Sequence, residues 1–347
     1  MAASPSLSAP PGMRFTGSLS AVGGGVVPVL LFDSAAFVPP APGSAVDAIS
    51  TVCTALRYSA EQASCFTAML SFHVTQKVEH PEAVAAGLLA DDVFALAWYT
   101  SDVRCLGLPV ESNGWYVMNE RLRRRDVDGL ALFKPIIFYV YRGLRMLEAH
   151  QVKSRRGEKR TVWRGLRDVR LTAISSLYAP GQLVCWPSFT STSVAQDTMV
   201  AFLGAGSGGT MIKLEVDGGA DMLAFSMVGG EHEVLLPPNT VIRIKSTVTS
   251  EMLDGFPGVS LPRGVDLVIA EQTETPAFGL LLPASCLVVP PPPSRGEATN
   301  GVVPLSGAVP LSPAAPVEPT RPPAAVETAV EASGGQPLPP PVAVVVA

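Results

Sequence analysis

The stretch Thr161–Val169 reads TVWRGLRDV, and its tetrapeptide Arg-Gly-Leu-Arg also stands in Tyr139–Leu147, YVYRGLRML. The two copies sit in different local patterns. Around the first, Ile136, Val140, Gly143, Leu144 and Leu147 recur at spacings of three and four, which makes one apolar stripe of a helix, and Pro135 fits a first helical turn. Arg142, Arg145 and Glu148 fall on the other face, so Arg142 is expected to be an exposed helix arginine. Before the second copy, KSRRGEKR (Lys153–Arg160) reads as a basic turn, and Thr161-Val162-Trp163 is β-branched and aromatic, which favours a strand. Arg164 is therefore expected on a strand, with Gly165 allowing a close approach of the backbone. The chain changes from helical to strand periodicity between the two copies, and that change decides the fold.

Upstream, Asp47–Phe72 is rich in Ala, Leu, Met and Glu without Pro or Gly, and predicts a helix. Pro81 opens a second helix, PEAVAAGLLADDVFALAWYTSDV, which ends before Gly107 and Pro109. WYVMNERLRRRDV reads as a third with a charged outer face. Downstream, QLVCWPSFTSTS reads as a strand broken or edged at Pro187, and SVAQDTMVAFL as a short helix with Ser193 as its N-cap. GGTMIKLEVDGG follows as a strand. Two more strands flank the turn PPNT (Pro237–Thr240), and VDLVIAEQ is the last. Helices first and short strands second give an α+β fold with an antiparallel-biased sheet.

Composition bounds the domain. Of 33 prolines, 7 fall in residues 1–43 and 15 in residues 290–347. The expected organisation is a flexible segment over 1–44, with at most a short strand near Val26–Phe32, a folded domain over 45–285 and a disordered Pro/Ala-rich tail over 286–347. The formal net charge of −5 argues against a general nucleic-acid binder. The basic runs RLRRRD (Arg121–Asp126) and Lys153–Arg160 read as a solvated helix face and a charged turn. Five cysteines (Cys53, Cys65, Cys105, Cys185, Cys286) without a CxxC give no zinc site. They fit a reduced compartment, with a disulfide left open. The apolar run Leu19–Phe32 starts late and contains three consecutive glycines and a proline, so no cleaved leader is expected. Nor does any run have the length of a membrane helix. The expected setting is cytoplasmic, with secretion left open.

GAGSGG (Gly204–Gly209) matches the dinucleotide fingerprint G-x-G-x-x-G. That motif works only after a strand and at the start of a helix. Here a helix precedes and a strand follows, so it reads as a helix-to-strand loop. A different set of residues carries chemistry. Arg164 on a strand is followed by SFTSTS (Ser188–Ser193) on the next, then by GGEHEVLLPP (Gly229–Pro238). In extended backbone Glu231 and Glu233 project to the same side and His232 away. Each feature alone is weak; their joint order is strong.

This order closely resembles the arginine-specific mono-ADP-ribosyltransferases, whose signature is an Arg, then Ser-Thr-Ser, then Glu-x-Glu. WYTSD (Trp98–Asp102) is similar to the family's Tyr-Thr helix end, YVMNERLR (Tyr116–Arg123) to its Asn-x-x-Leu-Arg helix, and VWRGL (Val162–Leu166) to its aromatic-Arg-Gly strand. The resemblance covers about residues 90–272 and leaves out the tails. It implies a helical N-terminal lobe followed by a split β-sandwich that holds NAD, the substrate, with no metal. The implied activity is that of an NAD(P)-dependent protein-arginine ADP-ribosyltransferase, a glycosyl transfer whose partner is a protein presenting an arginine.

By that resemblance Arg164 binds the NAD diphosphate, because its planar donor fork matches phosphate oxygens. Ser191 lies near the nicotinamide ribose and fixes Glu233. Glu233 stabilises the positive charge that grows on the ribose as neutral nicotinamide leaves. Glu231 orients the incoming guanidinium and takes its proton. Gly165 lets backbone groups approach the nicotinamide amide. Phe225 either stacks near the nicotinamide or packs in the core. Tyr99 and Asn119 take structural roles. Two other readings stand beside this one: an NAD glycohydrolase on the same scaffold, and a non-catalytic binding module. In the latter, PPPP (Pro290–Pro293) and PLPPP (Pro337–Pro341) would form polyproline II for an SH3-like partner.

Overall fold

The computed structural model describes residues 40–41, 43–203, 208–227, 232–253 and 261–273. The stretch Val26–Phe32, Cys286 and the proline-rich segments lie outside the described residues.

The first half is helical. Helices α1 (Ser44–Ala55), α2 (Ala60–Lys77), α3 (Pro81–Ala86), α4 (Ala90–Tyr99), α5 (Gly114–Arg124), α6 (Val127–Leu130) and α7 (Lys134–Ser154) follow in chain order. The single helix expected over Asp47–Phe72 is two. Arg57 takes a positive φ of 64°, and Ser59 starts α2 with a reciprocal cap. The Gln62 N–H donates to Ser59 Oγ at 3.1 Å and the Ser59 N–H to Gln62 Oε1 at 2.9 Å, the capping-box geometry that S-x-x-Q encodes. The helix opening at Pro81 is likewise interrupted, because Gly87 ends α3 at φ 71°, a left-handed stop that glycine adopts without strain.

Helix α7 keeps its expected stripe: Ile136, Val140, Leu144 and Leu147 have no exposed surface. The opposite face is a correction. Arg142 is not exposed; its Nε donates to Asp92 Oδ1 at 2.7 Å, and the Asp92 side chain has 0% exposure. Glu148 is buried too, paired with Arg145 and accepting the Gly219 N–H. Helix α4 covers one side of α7, and the turn before the Ala220 strand covers the other end. A periodicity of one helix cannot show these neighbours.

The second half comprises β1 (Arg160–Arg167), α8 (Leu171–Ile174), β2 (Leu183–Trp186), β3 (Thr190–Ser193), α9 (Gln196–Leu203), β4 (Gly209–Val216), β5 (Ala220–Asp221), β6 (Glu233–Leu236), β7 (Thr240–Val248), α10 (Ser250–Leu253) and β8 (Val265–Gln272). Strand order is β2-β7-β8-β4-β1-β3-β6-β5. Only β4 and β8 run parallel; the other described pairs are antiparallel. Pro187 separates β2 from β3, and the two do not pair: β2 lies on β7, and β3 on β6.

Strands β1 and β3 meet at one residue pair, Trp163 with Ser193. That thin seam divides the strands into a leaf of five and a leaf of three. Val162, Ile212, Leu214, Ile242 and Val268 of the larger leaf share one apolar cluster with Val234 and Leu236 of the smaller. Each such fully buried side chain contributes about 1.5–3 kcal/mol, so this shared interior closes the split sandwich.

Candidate active site

The site grows from the seam. Arg164, in the middle of β1, is 7% exposed. Its Nη1 donates to the Ser191 carbonyl at 2.9 Å, bridging β1 to β3 where the ladder is thinnest. Its guanidinium carbon lies 5.5 Å from the Trp186 ring centroid, a cation–π distance. The Trp186 indole in turn donates to Tyr178 Oη at 3.0 Å. Burial pulls the Arg164 pKa down to about 10, and the like charge of Arg123 on α5 acts in the same direction.

Ser191 and Glu233 come together through register. Directly opposed residues of an antiparallel pair project from the same face. Ser191 opposes Leu235 and Ser193 opposes Glu233, so all four share a face. Leu235 packs in the helical core, while its neighbours Val234 and Leu236 pack inside the sandwich. The Ser191–Glu233 face therefore looks toward the helices. Thr192 points the other way and donates to the Val234 carbonyl at 2.7 Å. Ser193 Oγ accepts the Ala195 N–H at 3.1 Å, so α9 begins at Gln196 rather than on Ser193. The three residues of STS thus have three separate tasks: the first faces the helices, the second pins β3 to β6, and the third turns the chain into α9.

Tyr99 closes the site from above. It ends α4, is buried, and its ring lies 5.4 Å from that of Phe189. Its hydroxyl accepts a hydrogen bond from Asn119 Nδ2 at 2.9 Å and hydrogen-bonds the Ser191 side chain. Burial and the Glu233 charge push its pKa up, against those two hydrogen bonds.

Glu231, with Gly229 and Gly230, lies outside the described residues; His232 is exposed. Phe225, open to two readings, takes the packing one: it has 0% exposure and sits edge-on to His80, ring centroids 6.0 Å apart. It packs in the helical core cluster. Gly165 has a packing reason as well, since a Cβ there would lie 2.8 Å from Phe202 Cδ1 on α9. Of GAGSGG, Gly204–Ser207 lie outside the described residues, and α9 before and β4 after them give the helix-then-strand order that the dinucleotide motif does not have. The sequence reading missed Arg123, which it placed on a solvated face, and Trp186 and Tyr178, which carry no motif. Tyr99 and Asn119 were visible only as scaffold.

Among the described residues no group of three His, Cys, Asp or Glu side chains could hold a metal ion, and no helix is long and apolar enough to cross a membrane. The family profile described as NAD:arginine ADP-ribosyltransferase matches residues 61–252, more than half of the chain. No individually curated protein matches. Among solved structures, the chain is similar to the ADP-ribosyltransferase HopU1 of Pseudomonas syringae pv. Tomato, at 18% identity and a TM-score of 0.47, covering 68% of this chain and 99% of that one. It is similar to the type III effector XopAI from Xanthomonas axonopodis pv. citri, at 16% identity and a TM-score of 0.41, covering 68% and 84%. A third is the Vis toxin, an ADP-ribosyltransferase from Vibrio splendidus, at 17% identity and a TM-score of 0.38, covering 64% and 89%. With more than half its length matched by the family profile, this chain belongs to the NAD:arginine ADP-ribosyltransferase family, whose members use NAD as the substrate for ADP-ribose transfer to proteins.

Proposed function

We propose that this chain transfers ADP-ribose from NAD to arginine side chains of proteins, releasing nicotinamide. The observation that carries the reading is the convergence, at the seam between the two leaves, of a buried guanidinium (Arg164), a hydroxyl (Ser191) and a carboxylate (Glu233). Arg164 would take the diphosphate of NAD by its donor fork, with Arg123 adding positive charge nearby. Departure of neutral nicotinamide leaves an oxocarbenium-like ribose, and a carboxylate beside it lowers that barrier, as in glycosidases. Glu233 is assigned this role and Ser191 its orientation. Gly165 would bring main-chain groups of β1 toward the nicotinamide amide.

Arginine as acceptor rests on Glu231, two residues before Glu233 in sequence. A guanidinium is protonated at neutral pH and a poor nucleophile; an adjacent carboxylate can orient it and accept a proton as the new N–C bond forms. Incubation with labelled NAD and agmatine tests the whole reading, and a labelled agmatine adduct is expected. Glu231→Gln should lose the adduct while still releasing nicotinamide, and Glu233→Ala should lose both. Free ADP-ribose without any adduct would convert the reading to a glycohydrolase. Undetectable NAD binding by calorimetry would leave a binding module.

A further inference from the structure

The end of α4 makes two long-range contacts. Tyr99 reaches Ser191 on β3, while the adjacent Thr100 Oγ1 accepts the Met227 N–H at 3.0 Å. Behind Tyr99 stands Asn119 of α5, 5% exposed, whose Nδ2 donates to the tyrosine hydroxyl. A phenol oxygen has two lone pairs, so the hydroxyl keeps one of them and its proton for the Ser191 side chain. Asn119 Oδ1, by contrast, is buried without a hydrogen-bond partner. An orphaned buried acceptor costs about 1–3 kcal/mol, so this amide is a poor choice for stability alone. Its donor is aimed at the hydroxyl that touches the reacting face.

We propose that Asn119 and Tyr99 form a hydrogen-bonded relay that positions Ser191 and, through it, the Glu233 carboxylate for cleavage of NAD. They are positioning residues, and the inference rests on the assignment of Glu233 and Ser191 given above. Its consequences differ from those of packing. Tyr99→Phe keeps the ring against Phe189 and Trp115 and removes only the hydroxyl. It should lower kcat for nicotinamide release about tenfold while leaving KM for NAD unchanged, the signature of an interaction realised in the transition state. Asn119→Leu is close in shape and removes the orphaned acceptor, so its Tm should equal or exceed the wild-type value while its kcat falls. The double variant should be no slower than Tyr99→Phe, because two members of one relay do not add.

Steady-state kinetics, with melting curves and calorimetric NAD binding on the full chain, decide the matter. Wild-type kcat in Tyr99→Phe overturns the relay, as do losses that multiply in the double variant or an Asn119→Leu whose slower rate simply follows a lower Tm. A wild-type chain that cleaves no NAD overturns instead the reading beneath it, so the two failures are told apart by the wild-type lane.

Discussion

The two Arg-Gly-Leu-Arg segments can be compared position by position. The leucines behave alike: Leu144 and Leu166 are both buried. The first arginines do not. Arg142 gives its Nε to a carboxylate with no exposed surface and lies 5.2 and 5.3 Å from the ring centroids of Phe138 and Tyr139. Its charge is matched inside the fold. Arg164 gives its Nη1 to a neutral carbonyl, and burial makes its charged form less favourable. In the proposed function a diphosphate at Arg164 would offset what burial costs that charge, whereas Arg142 already faces the Asp92 carboxylate. One sequence thus serves as an internal fastener on a helix, and on a strand it carries the guanidinium proposed to receive the NAD diphosphate.

The sharpest way to break this contrast is to remove each guanidinium in turn. Arg164→Ala should lower kcat/KM for NAD cleavage by about 10²–10³-fold, the loss typical when one charge-stabilising donor leaves an active site. Arg142→Ala should leave kcat/KM of the folded protein near the wild-type value. Equal losses, measured by nicotinamide release on matched folded fractions, would erase the distinction.

The same pair separates on stability, in the opposite sense. Removing one partner of a buried ion pair costs about 3–5 kcal/mol, because the other charge stays behind without water. Arg142→Met should show that loss in urea melts. Burial raises the Asp92 pKa, and the hydrogen bond and charge of Arg142 oppose the rise. Without Arg142 the carboxyl is raised further in the folded state. A carboxyl raised on folding contributes stability that is full below its unfolded pKa and lost as pH rises through its folded one. The deficit of Arg142→Met should therefore be largest near neutral pH and shrink toward pH 4. A deficit equal at both pH values would mean that packing, not the ion pair, was lost. Arg164→Met should show no such pH dependence.

Much of this contrast is legible in the sequence. Thr161-Val162-Trp163 marked a strand, the stripe from Ile136 to Leu147 marked a helix, and the order Arg, Ser-Thr-Ser, Glu-x-Glu brought Arg164, Ser191 and Glu233 to attention. What stayed hidden depends on distant partners. Asp92 and Arg142 are 50 residues apart and Asn119 and Tyr99 are 20 apart. Periodicity along one segment identifies its most apolar face but says nothing of what covers the other, so Arg142 read as exposed. Arg123 read as solvated because a run of arginines on a helix usually is; in the fold its charge is close enough to Arg164 to lower that residue's pKa. Phe225 was undecidable from its neighbours in sequence, since a turn phenylalanine can stack on a ligand or fill a core.

The glycines of the two segments supply the smallest and most discriminating effect. Both let an element come close to a helix, but they differ in what stands opposite. A Cβ on Gly143 would lie 3.1 Å from Asp92 Cβ and 3.4 Å from Leu96 Cδ1. That is tight, yet alanine in a helix interior gains about 1 kcal/mol over glycine, so Gly143→Ala should be near neutral in melting experiments. A Cβ on Gly165 would lie 2.8 Å from a ring carbon of Phe202, with Leu203 at 3.3 Å. The ring is also held by Arg167, whose guanidinium carbon lies 4.7 Å from its centroid. It cannot swing aside like the end of a flexible chain. Alanine gains a strand about 0.5–1 kcal/mol over glycine as well, but the clash with a held ring outweighs it, so Gly165→Ala should cost about 1–3 kcal/mol, as overpacking does. Any relief of that clash pushes α9 away from β1 beside Arg164, so KM for NAD should rise in Gly165→Ala and not in Gly143→Ala. If both glycines tolerate alanine equally, the packing of β1 against α9 is looser than the distances imply, and Gly165 is left with its proposed role toward the nicotinamide alone.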